Sequence, residues 1–473
     1  MRLRDLDGKR VLVWGLGREG RAAMGLLTDS TWCRPASVET FDDGPREHGG
    51  TLAVAREVPE GLLDGVDVVV KSPGVSRYRS ELRAFSAQGG VITGLTALVI
   101  AERGGRRVVG VTGTKGKSTT ASLIAHLVAA AGESVELAGN IGRPAVEVLS
   151  TPQSWVVLEC SSYQCADIEN APGCSPEIGV FTSIYEEHLD WHGSYERYVA
   201  DKVRLFAQCD TTLVNAMQPE LVRVTDGSLG PVAGRRLISD DHAGGDGVLV
   251  DLQGVNLQGV HNRRNANLAV HAASHVMGIV HPRFEAALAT FRPLEHRLHV
   301  LGYWGGLTVV DDVLATAPEA VLAALDVFAD RPVTVLLGGY DRAIDYRDFA
   351  ATLVARTGVG AGVGAGVGAG VGAGVRVIAM GPAGVRIADE MERAGGVRPV
   401  TVATLADAVD AVDAVDAVDA VDVVDAVGHP DSAGRGVLLL SPGATSYGEF
   451  ADYRERSARF RSLLLQRGMT LAG

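Results

Sequence analysis

The run Thr112-Gly113-Thr114-Lys115-Gly116-Lys117-Ser118-Thr119 holds the densest set of residues suited to phosphate chemistry. Glycines let backbone amides approach an anion closely, and Lys117 would bring a point charge to the outer phosphates of a nucleotide. Ser118 or Thr119 would reach a bound Mg²⁺. Val111 stands where the strict Walker pattern has its first glycine, so a short variant of the phosphate loop is expected. Glu159 closes the apolar run SWVVLE and is placed to hold a divalent cation. Glu187 and His188 follow the next apolar run, and Lys202 lies in SYERYVADKVRLF. Taken singly, Glu159 reads as a capping or surface acid, His188 as a structural histidine and Lys202 as a solvated helix charge; their company is what points to a nucleotide site.

A second constellation, Gly15-Leu16-Gly17-Arg18-Glu19-Gly20, fits the GxGxxG pattern, with Asp42 near the ribose-binding distance and Ser72 at the end of a later apolar run. It fits a dinucleotide site, and equally a tight turn without ligand.

Each motif needs a strand before it and a helix after it. KRVLVWGLGREGRAAMGLL, then ASVETFDDG and DGVDVVVKSPGV, give a βαβ rhythm with a site at the strand carboxyl ends. RRVVGVTGTKGKSTTASLIAHLVAAAG opens a second such unit. A third carries LTVVDDV, PVTVLLGG, VRVIAMG and GVLLLSPG. The expected fold is α/β in three domains, at 1–103, 104–301 and 302–473, which suits a chain of 473 residues.

The net charge of −13 argues against nucleic acid and against an anionic membrane surface. Five cysteines at no metal-ligand spacing read as reduced thiols of a cytoplasmic protein. The opening residues carry charges where a signal peptide has its apolar core, so no leader is expected. The apolar run 358–375 is half glycine, which excludes it as a membrane span. This Gly-Val-Gly-Ala repeat reads as an expanded loop. The Asp-Ala-Val repeat over 407–427 reads as a lengthened surface helix without a clean apolar face, and it lacks the turn of a calcium loop.

Together the motifs resemble the Mur ligase family, the ATP-dependent amino-acid ligases of peptidoglycan synthesis. GVTGTKGKSTT, GNIGRP, LECSSYQ, TSIYEEHLDWHGS, GVHNRRNANLA, LEHRLHV, VDDVLATAPEA, LLGGYDR and LSPGATSYGEF carry the likeness across nearly the whole chain. The resemblance implies an N-terminal UDP-binding domain, a central ATP-binding domain and a C-terminal amino-acid-binding domain. Gly113 through Thr119, Asn265, Arg297 and Asp312 would bind ATP. Ser118 and Glu159 would hold one Mg²⁺; His188 and Lys202, the latter as its carbamate, would hold a second. Lys117, His188 and Lys202 would be catalytic. Gly17, Arg18, Glu19, Asp42, Ser72, Asn140, Ser161, Gln164, Thr316, Ser446 and Tyr447 would contact UDP-N-acetylmuramoyl-L-alanine or glutamate. A monomer is expected.

Ligases of this family that add D-glutamate usually carry a lysine where this chain has Leu314, and asparagine is common where it has Lys115. The departures resemble a branch that adds L-glutamate, whose product a separate epimerase then inverts. Arg342, Arg454 and Arg456 are candidates for the displaced cation, and equally fit surface arginines. The alternatives are the D-glutamate ligase, a folylpolyglutamate synthase, a dehydrogenase using the first glycine loop, and a non-catalytic nucleotide-binding protein.

Overall fold

The computed structural model describes residues 1–43, 47–48, 51–52, 57–141, 143–229, 234–239, 260–278, 284–292, 296–316, 318–329, 331–341, 345–357, 374–419, 436–446 and 448–472. The readings made for 358–373, 420–427, Arg342 and Tyr447 fall outside them. The chain divides into two compact units, Met1–Arg292 and Pro293–Gly473.

The first unit contains two parallel sheets. One has four strands in the order Ser37–Phe41, Arg10–Trp14, Val68–Lys71, Val91–Thr93. The other has six, in the order Arg235–Ile238, Thr211–Asn215, Ile178–Phe181, Val108–Thr112, Trp155–Glu159, Val135–Gly139. Every residue of VVGVT, WVVLE and IGVF is buried. Such continuous apolar runs suit a sheet covered on both faces. Successive side chains divide between those faces: Val109 and Val111 pack with Ile124 and Ala269 of helices Lys117–Ala130 and Val260–Met277, whereas Val108 and Val156 pack with Leu98 of helix Leu95–Glu102. The chain enters this sheet at its middle, crosses to the edge at Val135–Gly139, returns inward as Trp155–Glu159, and then continues on the other side of Val108–Thr112 from Ile178–Phe181 outward. The carboxyl end of Val108–Thr112 is therefore a topological switch point, where open α/β sheets bind ligands.

The second unit is a seven-stranded sheet in the order Val400–Val402, Val375–Met380, Val333–Gly338, Gly436–Leu440, Leu307–Asp311, His299–Trp304, Thr470–Leu471. Only His299–Trp304 runs against the others. The break expected after residue 301 falls inside that strand.

The Asp-Ala-Val tract corrects one expectation. It begins in helix Leu405–Asp419, and Leu405, Ala408, Val409 and Val412 are fully buried against Leu438 and Phe460. A three-residue period lags the helix by about 60° per repeat, so two repeats still present one apolar stripe roughly 100° wide. Drift removes a stripe only over longer stretches. Among the described residues no helix is long and apolar enough to cross a membrane.

Candidate active site

The phosphate loop leaves strand Val108–Thr112 and enters helix Lys117–Ala130 through Gly116. Gly113 has φ +154°, and a Cβ there would lie 2.0 Å from Thr182 Oγ1. The loop is clamped by the neighbouring strand end. Thr114 N donates to Ser183 O and Lys115 N to Ser183 Oγ, each at 2.8 Å. Lys117 Nζ donates to the carbonyls of Gly113 and Thr114 at 2.9 Å. Ser118 is buried in the first helical turn, and Thr119 is half-buried beside it. Asn265 reaches the loop from helix Val260–Met277: a Cβ on Gly116 would lie 2.5 Å from its Oδ1.

Glu159 ends the adjacent strand, in register with Val111. It is 2% exposed. Asn140 Nδ2 donates to its Oε1 at 3.0 Å, while Oε2 has no hydrogen-bond partner among the described residues. A buried carboxylate oxygen left open beside a phosphate loop fits a hard cation. The described residues contain no group of three or more His, Cys, Asp or Glu side chains that would cage an ion. Mg²⁺ binds through one or two carboxylates plus phosphate oxygens and water.

Ser194 caps helix Tyr195–Val203, its Oγ accepting from Arg197 N at 3.3 Å. Tyr198 and Lys202, four residues apart, share its buried face, and Glu196 and Arg197 face solvent. Lys202 is thus no solvated helix charge. Its Nζ donates to Gly113 O at 2.8 Å and sits 4.8 Å from the centre of the Tyr198 ring. Burial, with the nearby Lys117 charge, pushes its ammonium down to about 7. Tyr198 OH lies 2.6 Å from Thr114 Oγ1, so the same helix face fixes the loop.

Lys115 pairs with Glu187 at 2.8 Å. Burial raises the Glu187 carboxyl, but the charges of Lys115, His188 and Lys117 outweigh it and hold the group at about 2. The unusual loop lysine therefore has a dedicated anion. His188, in left-handed conformation at φ +59°, packs its ring 5.0 Å from Tyr163.

The first glycine loop is built separately. A Cβ on Gly20 would lie 1.8 Å from Gly15 O, so this glycine serves helix-to-strand packing. Gly17 and Arg18 are exposed, and a Cβ on Gly17 would meet nothing, which leaves its backbone open to a ligand. Asp42 Oδ2 accepts from Leu16 N at 2.9 Å, and Ser72 Oγ donates to Gly15 O at 2.7 Å. Both side chains therefore shape this loop. Glu19 joins it to the larger sheet: Gln164 Nε2 donates to Glu19 Oε1 at 2.6 Å, and Gln164 Oε1 accepts from Ser161 N at 2.8 Å. Glu19 is raised by burial.

In the second unit, Asp312 and Ser441 follow neighbouring parallel strands. Ser441 Oγ donates to Asp312 Oδ2 at 2.7 Å. Burial pushes Asp312 up to about 7, with Arg297 opposing. Thr316 and Leu314 are half-buried and Ser446 is buried. Arg456 is neither a surface residue nor open to a substrate: it is 2% exposed and donates to the carbonyls of Gly338, Ala444 and Thr445. Arg454 remains exposed, its guanidinium stacked over Tyr453.

Residue reasoning missed the Thr182–Ser183 clamp, Tyr198, and a buried Lys71–Asp167 pair at 2.7 Å. Only Tyr198 carried a usable signal, its spacing of one helical turn from Lys202.

Residues 111–228 match the Mur ligase middle domain. The chain is 37% identical over 482 residues to a UDP-N-acetylmuramoyl-L-alanine--L-glutamate ligase of Xanthomonas euvesicatoria, covering 98% of this chain and 96% of that one. A ligase of the same name from a Micromonospora strain is 35% identical, with 97% of each chain covered. In fold the chain is similar to the UDP-N-acetylmuramate-alanine ligase of Thermotoga maritima, at a TM-score of 0.54 and 18% identity over 97% of this chain and 99% of that one. It is also similar to a Thermotoga maritima MurF ligase solved with ADP, at a TM-score of 0.55 and 16% identity over 98% and 97%. With the phosphate loop, Glu159 and Lys202 gathered at one strand end and the likeness running from end to end, the chain belongs to the Mur ligase family.

Proposed function

We propose that this chain joins L-glutamate to UDP-N-acetylmuramoyl-L-alanine with cleavage of ATP to ADP and phosphate. The observation that carries this is the convergence of Lys117, Glu159 and Lys202 on the loop after Val108–Thr112, in a chain similar throughout to ligases named for that reaction. A carboxylate resists attack by an amine because oxide is a poor leaving group. The terminal alanine carboxylate therefore takes the γ-phosphoryl group of ATP, and ADP departs. The glutamate amine adds to the acyl phosphate, and the tetrahedral intermediate expels phosphate and loses a proton. Lys117 balances charge on the transferring phosphoryl group, and the amides of the loop orient it. Mg²⁺ bound at Ser118 and Glu159 would supply further neutralisation.

Lys202 would act as its carbamate, giving an anionic oxygen toward a second Mg²⁺ shared with His188. Its burial and its ammonium lowered to about 7 support this, because only a neutral amine adds CO₂. The open Gly17 backbone would receive the UDP part, with Glu19, Ser161, Gln164 and Asn140 along the muramoyl part. Asn265, Arg297 and Asp312 would hold the nucleotide, and Thr316, Ser446 and Tyr447 the incoming glutamate. Leu314 in place of a lysine supports L- over D-glutamate. A lysine-free pocket must neutralise the glutamate carboxylates differently, and Arg454 is an exposed cation in this unit. We place domain divisions near residue 103 and near residue 293, ahead of strand His299–Trp304, and the enzyme in the cytoplasm as a monomer, with an epimerase acting on its product. The test is ADP release that requires both substrates, with a product heavier than the nucleotide substrate by one glutamyl residue.

A further inference from the structure

Ser162, His192 and Asp201 are 2%, 0% and 1% exposed, and the reaction as described makes no use of them. His192 Nδ1 lies 2.7 Å from Asp201 Oδ2, and His192 Nε2 lies 2.9 Å from Ser162 Oγ. A carboxylate only accepts, so Nδ1 carries the hydrogen toward Asp201, and Nε2 shares its hydrogen bond with the Ser162 hydroxyl. Asp201 Oδ1 accepts from Tyr78 OH at 2.6 Å. The order of groups is that of a nucleophilic triad. Ser162 is too buried for a carbonyl to approach it, however, so the chain holds position and does not attack.

What it holds is specific. Ser162 follows Ser161. His192 closes the four-residue helix that begins after His188. Asp201 precedes Lys202 on the helix that clamps the phosphate loop. Tyr78 follows the Val68–Lys71 strand of the smaller sheet. Nearby contacts fasten the same seam: Trp191 Nε1 donates to Pro73 O at 3.1 Å, and Ser76 Oγ donates to Trp191 O at 2.8 Å. One uninterrupted line of hydrogen bonds thus joins segments up to 123 residues apart in sequence.

We propose that Tyr78–Asp201–His192–Ser162 is a positioning relay for the ligation. It keeps Ser161, His188 and Lys202 in one register and ties that register to the sheet with the first glycine loop. This rests on the reaction proposed above, in which those three groups face substrate and metal.

The test compares Tyr78→Phe, Ser162→Ala and the double variant. Each single change removes one hydrogen bond at little cost in volume. The expected result is a fall in kcat of roughly 10- to 100-fold for each, as for reacting groups displaced by a fraction of an ångström. KM for ATP stays within about twofold, and the midpoint of thermal unfolding stays within a few degrees. The double variant is no slower than the slower single, because both break one line. Losses that multiply, or that appear in KM alone, overturn the relay. Hydrogen exchange gives a reading independent of turnover. The relay predicts faster exchange across both 160–166 and 188–203 in either single variant, and changes confined to the mutated segment refute it. Failure of the proposed reaction shows separately, as no product from the unmodified chain.

Discussion

Removing CO₂ from the enzyme should silence it through one residue, Lys202. An ordinary lysine near pKa 10.4 is neutral in only about one molecule per thousand at pH 7.5. Burial under the phosphate loop holds Lys202 at about 7, so most of it is neutral at that pH. The amine able to add CO₂ is therefore several hundred-fold more abundant than on a surface lysine. Addition forms the N–C bond, releases a proton and leaves an anionic carbamate. The assay exchanges the enzyme into CO₂-free buffer at pH 7.5 and measures initial rates with and without added bicarbonate. The expected drop is roughly 100-fold, the usual loss when one charge-stabilising group is withdrawn from a reacting centre. Bicarbonate should restore the rate, and restoration should fade as pH falls below about 7, where the ammonium form takes over. Lys202→Arg should be inactive and unresponsive. Full activity in CO₂-free buffer, or an active Lys202→Arg, would refute the reasoning.

Three other outcomes follow from single residues. Glu159→Gln should raise the Mg²⁺ concentration for half-maximal rate by at least about tenfold, because it neutralises the open Oε2; a magnesium titration checks this. Arg456→Ala should lower stability by about 2–4 kcal/mol, by removing the guanidinium donors from the buried Gly338 and Ala444 carbonyls and emptying its buried site, and leave the glutamate KM unchanged; denaturant unfolding and saturation kinetics separate the two. Asp312 has its carboxyl raised, so the folded state binds its proton more tightly than the unfolded chain. Its contribution to stability should therefore fall as pH rises from about 4 to about 7, a limb that Asp312→Asn should lack in pH-dependent melting.

The local parts of the candidate site are legible in the sequence alone, for a physical reason. The phosphate loop, the Glu159 strand and the Lys202 helix are local patterns, each set by residues within about one element of one another. Contacts between distant segments left no such trace. Nothing in the spacing of Tyr78 and Asp201 foretells their hydrogen bond, and an arginine four residues into helix Tyr453–Gln466 looks like any solvated charge. Its burial is set by the Gly338–Gly339 turn and the 444–445 backbone folding over it. The Asp-Ala-Val tract misled in the opposite sense. The drift of a three-residue period accumulates over many repeats, whereas packing needs only the two turns that touch the sheet.

The most direct test of the proposed reaction offers L-glutamate and D-glutamate separately, with ATP, Mg²⁺ and UDP-N-acetylmuramoyl-L-alanine, and measures the nucleotide-linked product by mass. Product with L-glutamate alone is the predicted result. Product with D-glutamate alone would contradict it and would mean that Leu314 does not mark a changed amino-acid pocket.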